Sequence, residues 1–268
     1  MKKHAFLILA IMNPALAQIP HGSIGIIYFT DQKIVIAADS RVGIGGTYDR
    51  DNECKVAALD GHVIFVSTGT TGFDGPVVPA WKNIDEAHRA YRSVVPSPGR
   101  SIGKIQEVAR EFADFVVGHW NDLARAKMEL VEKQAAMDPY GVLTVAMFGG
   151  IDASGRPELV QVVIRFDRNI GRSTADTTEV LKCPLENFCA IGDAVNTPEF
   201  VMKTSERAKT EDRNSRPAGD DAQLAIHFAE LAIKYQRSNE IGGPIDAVQL
   251  SRDGSVKWAA RKQNCQDK

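Results

Sequence analysis

The sequence holds little that announces a metal, a cofactor or a nucleic acid. Its four cysteines, Cys54, Cys183, Cys189 and Cys265, never fall as Cys-x-x-Cys, and its scattered histidines show no His-x-x-x-His spacing, so no zinc-type ligand set is written in the chain. Charge is nearly balanced, at a formal −2 with a pI near 6.3. A basic footprint is therefore missing, and no nucleic-acid partner is expected. No strand-to-helix Gly-Lys-Ser/Thr follows Gly43-Ile44-Gly45-Gly46, which excludes a phosphate-binding loop and leaves that stretch reading as a flexible loop. Beyond the N-terminus no apolar run approaches the length of a membrane span. No cofactor is implied.

The N-terminus itself is distinctive. In MKKHAFLILAIMNPALA, Lys2 and Lys3 precede an apolar run from Ala5 to Met12, and Ala15-Leu16-Ala17 closes it. A basic start, a short apolar core and an Ala-x-Ala site mark residues 1–17 as a secretory signal peptide, with cleavage expected after Ala17. Roughly 250 residues remain, enough for one large domain. The mature protein is expected to be periplasmic or secreted, with no membrane attachment after export. In such a compartment the four cysteines allow three pairings. Cys183 and Cys189 bracket only Pro184-Leu185-Glu186-Asn187-Phe188, so a small local loop is one of them, leaving Cys54 with Cys265.

Periodicity gives a coarse order of elements. Ile24, Ile26 and Tyr28 alternate, Ile34 to Ala38 run apolar, and Thr30-Asp31-Gln32 between them reads as the turn of a β-hairpin. Val63 to Ser67 is a further strand. Helices are predicted from Asn83 to Val95 and from Ser101 to about Met137; in the second, Ile105, Val108, Phe112, Val116, Trp120 and Leu123 recur at helical spacing. Ser101 is the expected N-cap, a better account of Ser101-Ile102-Gly103-Lys104 than the Ser-x-x-Lys of penicillin-binding enzymes, whose other motifs are missing. A hairpin follows, Val142 to Gly150 with Leu159 to Ile164, then a short strand from Phe188 to Ile191 and a helix opened by Thr197-Pro198-Glu199. Glu206 to Arg216 is charged and reads as a solvated loop. Asp220 caps a helix carrying Leu224, Phe228 and Leu231, and Asp246 to Leu250 with Val256 to Ala259 form a closing hairpin. Alternating groups of strands and helices of this kind make an α+β chain.

The chemistry is concentrated between His21 and Gly72. There the chain offers Ser23 after Gly22, a strand-end Asp39-Ser40-Arg41, Lys55 ahead of Val56-Ala57-Ala58-Leu59, and the turn Thr68-Gly69-Thr70-Thr71-Gly72. In one ungapped frame these residues resemble the β-subunit of the proteasome and its bacterial relatives, members of the N-terminal nucleophile (Ntn) hydrolase superfamily. In that family a Gly-Thr bond is cut to free a nucleophilic threonine, and an Asp-Ser-Arg, a lysine and an oxyanion glycine follow at set intervals. The resemblance places the nucleophile on Ser23, its supports on Asp39 and Lys55, and the oxyanion donor on Gly69. It implies a four-layer αββα sandwich, two mainly antiparallel sheets between helix layers, over residues 23–268, behind a short propeptide-like segment, 18–22. Departures accompany the match. The nucleophile is serine, the family's Asp-x-x-Ser-Gly-Gly falls on Ser238-Asn239-Glu240-Ile241-Gly242-Gly243 with only the glycines kept, and Asp193 stands at a supporting serine.

What the resemblance implies is physically coherent. The α-amine of an N-terminal residue has a pKa near 8, close to working pH, so once Ser23 is freed its own amine could take the hydroxyl proton. A cationic Lys55 would favour the neutral, basic amine, Asp39 would orient Lys55, and the Gly69 N–H would donate to the oxyanion. Arg41 is expected to tie down the strand end. The partners expected are a peptide or amide substrate, with homo-oligomer formation left open. Two other readings stand beside this one: an inactive member that uses the fold for binding or assembly, and an acylase or amidase acting on small molecules.

Overall fold

The computed structural model describes residues 22–44, 47–60, 62–95, 103–183, 187–192, 198–236, 239, 241–263 and 265. The expected signal peptide, residues 18–21 of the propeptide-like segment, and Ser101, Asp193, Ser238 and Glu240 lie outside them.

The predicted hairpin is β1 (Ile24–Phe29) and β2 (Lys33–Ala38). The Thr30 hydroxyl accepts from the N–H groups of Gln32 and Lys33, each at 3.3 Å, and closes its turn. Next come β3 (Val42–Ile44), β4 (Thr47–Arg50), β5 (Val56–Leu59), β6 (Val63–Gly69) and the short pair β7 (Gly72–Phe73) and β8 (Trp81–Lys82). Helices α1 (Asn83–Val94) and α2 (Ile105–Ala135) lead into β9 (Val142–Ile151), β10 (Pro157–Asp167), β11 (Arg172–Glu179) and β12 (Phe188–Gly192). The chain ends through α3 (Pro198–Thr204), α4 (Glu206–Ser215), α5 (Asp221–Tyr235), β13 (Asp246–Ser251) and β14 (Val256–Ala260).

The result is a mixed α+β protein built on two five-stranded sheets, ordered β12-β1-β2-β13-β14 and β11-β10-β9-β6-β5, each antiparallel throughout. Successive strand residues point to opposite faces, and here both faces are covered, which explains the unbroken apolar runs. On β1 and β2, Ile24, Ile26, Val35 and Ala37 pack with α5, while Ile27, Ile34, Ile36 and Ala38 meet Ile64, Val66 and Met147 of the other sheet. The opposite face of that second sheet, with Phe65, Phe148 and Val162, receives Phe112, Val116 and Trp120 of α2. Cys54 is bonded to Cys265 and Cys183 to Cys189, one of the three pairings open to the sequence and a feature that oxidising compartments maintain. Among the described residues, no helix is long and apolar enough to cross a membrane.

Two expectations are corrected, and two further stretches take on structure. The charged stretch after Ser205 is not a loop: it is α4, whose N-cap Ser205 accepts from the Ala208 N–H at 3.2 Å. Its buried stripe is only Ala208 and Asp212, the latter paired with Arg216 one turn on at 2.9 Å, so no apolar periodicity betrayed it. The second long helix begins at Ile105 with Lys104 in the N-cap position and ends at Ala135, so Ser101 does not cap it. Arg172–Glu179, to which no element was assigned, is the polar edge strand β11. Of the glycine-rich stretch read as a flexible loop, Gly43 and Ile44 belong to β3, which pairs with β4 through Val42–Arg50 and Ile44–Thr47, and Gly45 and Gly46 lie outside the described residues.

Candidate active site

The β1–β2 register sets Gly25 opposite Ala38, which carries the next residue, Asp39, to the start of β1. There the Ile24 N–H donates to Asp39 Oδ1 at 2.9 Å and the Asp39 N–H returns to the Ile24 carbonyl at 3.3 Å. Lys55, just before β5, reaches the same point from the second sheet, its side chain fully buried. Its ammonium has three donors and finds three acceptors: Asp39 Oδ1 at 2.9 Å, the Gly22 carbonyl at 3.1 Å and the Arg41 carbonyl. Burial pushes the Lys55 ammonium below the ordinary lysine range, and the Asp39 carboxylate pulls it part of the way back.

The carboxylate is equally well satisfied. Asp39 Oδ2 accepts from the Gly242 N–H at 2.9 Å, and a buried ion pair is tolerable only when its remaining hydrogen-bonding capacity is met in this way. The flanking residues clamp the strand end. Ser40 and Arg41 donate their N–H groups to the Gly242 carbonyl at 3.1 and 2.9 Å, and the Ser40 hydroxyl donates to the Asp51 carbonyl at 2.9 Å. The Arg41 guanidinium grips the Asp51 carboxylate with two bonds, 2.7 and 3.1 Å. Arg41 thus does the tying expected of it.

Ser23 is fully buried, and its hydroxyl has no hydrogen-bond partner among the described residues. Gly22 before it lies at φ +86°, in a region that L side chains rarely adopt. Gly69 lies at φ +77°, and a Cβ there would stand 2.9 Å from the Leu143 carbonyl oxygen. Gly22, Ser23 and Gly69 together line a cavity of about 90 Å³. Glu53 and Thr71, two residues from Lys55 and Gly69 respectively, line a second cavity of about 380 Å³, together with Asp74, Asp85 and Lys82 among the described residues.

All four sequence-predicted site residues therefore fall in one small region. Lys55 joins Asp39 to the carbonyl ahead of Ser23, and Ser23 shares a cavity with Gly69. Three participants were not picked out from the sequence. The Gly22 carbonyl and the Gly242 N–H are backbone groups, to which residue type is blind. Gln134, on the wall of the smaller cavity, did leave a signal: a polar residue on the buried stripe of α2, between Val131 and Ala135. No group of side chains among the described residues is arranged to hold a metal ion. No family model matches the sequence, and no curated protein matches it.

Proposed function

We propose that this chain is an exported proteasome-like Ntn hydrolase that cuts its own Gly22-Ser23 bond and then cleaves amide bonds of peptides with the freed N-terminal serine. The observation that carries the reading is the ammonium of Lys55, held between Asp39 Oδ1 at 2.9 Å and the carbonyl oxygen of Gly22 at 3.1 Å. A cation on the scissile carbonyl, one residue before an unpartnered hydroxyl, is an arrangement for attack on that carbonyl. Two facing sheets, covered by α1 and α2 on one outer face and α5 on the other, are consistent with the four-layer αββα sandwich of this family.

Ser23 Oγ bonds to the Gly22 carbonyl carbon, the Gly22–Ser23 amide bond breaks, and the hydroxyl proton ends on the Ser23 nitrogen. The ester so formed is hydrolysed by water, releasing the residues ahead of Ser23 as an acid and leaving a free α-amine. In the mature protein that amine takes the proton from Ser23 Oγ as the oxygen attacks a substrate carbonyl, with Lys55 beside it keeping the amine neutral. The Gly69 N–H stabilises the oxyanion, a contact worth about 3–4 kcal/mol where such donors have been removed. The protonated amine then passes its proton to the leaving nitrogen, and water hydrolyses the acyl-serine.

A second reading, a non-catalytic protein that binds or assembles through the same fold, is favoured by one observation: no base lies within hydrogen-bonding distance of the Ser23 hydroxyl among the described residues. Intact mass and N-terminal sequence of the exported protein, beside Ser23→Ala, separate the two. Self-processing predicts a wild type that begins at Ser23 and a variant that begins at Gln18. If both begin at Gln18, the α-amine is never freed and the hydrolase reading fails.

A further inference from the structure

Gln134 is 8 % exposed and sits on the C-terminal turn of α2, its neighbours Val131 and Ala135 fully buried. It lines the cavity that holds Ser23 and Gly69. Its side-chain amide, two donors and one acceptor, makes no hydrogen bond to any described residue. Neither polar atom of that amide is among the sealed, partnerless side-chain atoms, so water can reach it, and a ligand that displaces this water must offer polar partners in its place or leave the amide unpaired. Met137, Leu143 and Val145 give the lining an apolar part, beside the polar Thr68 and Asp138, and Asp138 Oδ1 is taken up by the N–H groups of Tyr140 and Val142. At about 90 Å³ the cavity has room for about three water molecules, which is the scale of one peptide unit with a small side chain.

We propose that Gln134 is the specificity residue of this site, pairing its side-chain amide with a second amide on the acyl side of the bond to be cleaved. The substrate class is then a peptide with a small residue next to that bond, rather than a simple alkyl amide. An alkyl chain would fit the apolar wall but leave the Gln134 amide unpaired, whereas a peptide unit offers it both a carbonyl and an N–H. This inference rests on the hydrolase reading for the word substrate, but the binding it describes does not depend on turnover.

The test uses the full-length protein as exported, labelled with ¹⁵N at glutamine side chains, and two probes of similar length, N-acetyl-alanyl-alanine amide and hexanamide. The Gln134 side-chain NH₂ pair, assigned by its loss in Gln134→Leu, is expected to shift saturably with the peptide and to stay in place with hexanamide. Gln134→Glu, which keeps the shape and one acceptor but loses both donors, should weaken peptide binding about tenfold, the effect of one lost hydrogen bond. Because it is nearly isosteric, it carries the comparison if Gln134→Leu fails to fold. An unmoved Gln134 resonance, or equal peptide affinity in Gln134→Glu, overturns the assignment. Hydrolysis of the aminocoumarin amide of the same peptide is read on the same samples. Binding without turnover upholds Gln134 and sinks the hydrolase reading, whereas turnover with an unmoved resonance sinks only Gln134.

Discussion

Ser23 and Asp39 are both fully buried, yet the surroundings treat them differently. Every oxygen of the Asp39 carboxylate has donors, from Ile24, Lys55 and Gly242, whereas the Ser23 hydroxyl has none. Burying a hydroxyl without a partner gains nothing for the fold, so Ser23→Ala should be neutral or stabilising by up to about 1 kcal/mol in thermal denaturation while abolishing cleavage at Gly22-Ser23. A loss of stability in that variant would point to a structural hydroxyl instead. Asp39→Ala has the opposite profile: it strands the Lys55 ammonium and should cost about 3–5 kcal/mol in urea unfolding. The same pair sets a pH limit. Burial holds the Lys55 ammonium below the ordinary lysine range, with the Asp39 carboxylate pulling the other way, so the cation is lost at a lower pH than an exposed lysine would lose it. Self-processing, which needs that cation on the Gly22 carbonyl, should therefore decline as pH rises toward 10.5, and Asp39→Asn should move the decline to lower pH. Conversion followed by mass spectrometry between pH 7 and 10.5 checks this; a rate level to pH 10.5 in both proteins refutes it.

At the scale of elements, the sequence spoke clearly where burial is two-sided. Val63-Ile64-Phe65-Val66 and Ile34 to Ala38 each send alternate residues into two different apolar clusters, so they read as strands from composition alone. It was silent where an element buries almost nothing. The α4 helix shows the core only Ala208 and Asp212, and β11, Arg172–Glu179, is an edge strand of mainly polar residues paired with β10 in a hairpin, so neither carries an apolar pattern of its own. The candidate site divides in the same way. Asp39, Lys55 and Gly69 are marked by residue type at strand ends, but the Gly242 N–H and the Gly22 carbonyl are contributed by backbone whose position only the tertiary fold decides. Helix α4 also yields a prediction at its own scale. With so little burial, its N-cap is a large share of what holds its first turn: Ser205 Oγ accepts from the Ala208 N–H at 3.2 Å. Ser205→Ala should cost about 1 kcal/mol in denaturant unfolding, and Ser205→Asp should recover it.

For the molecule as a whole, the two disulfides do unequal work. Cys183 and Cys189 are 6 residues apart and close a local loop, while Cys54 and Cys265 are 211 apart and tie the end of the chain to the segment just before β5. Chain-entropy reasoning assigns about 5 kcal/mol to the long loop and about 2 kcal/mol to the short one. The long bridge also adjoins the site, since Cys54 precedes Lys55 and the Lys262 ammonium donates to the Glu53 carbonyl at 2.6 Å while pairing with Asp246 at 2.8 Å. Replacing both Cys54 and Cys265 by serine should therefore lower the unfolding free energy by more than the matching Cys183 and Cys189 change, and should also slow cleavage at Gly22-Ser23 by loosening the chain on which Lys55 sits. The short-loop variant should lose stability alone. Urea unfolding beside the processing rate of each double variant decides the matter: equal processing in the two would mean that the C-terminal tether serves the fold and not the position of Lys55.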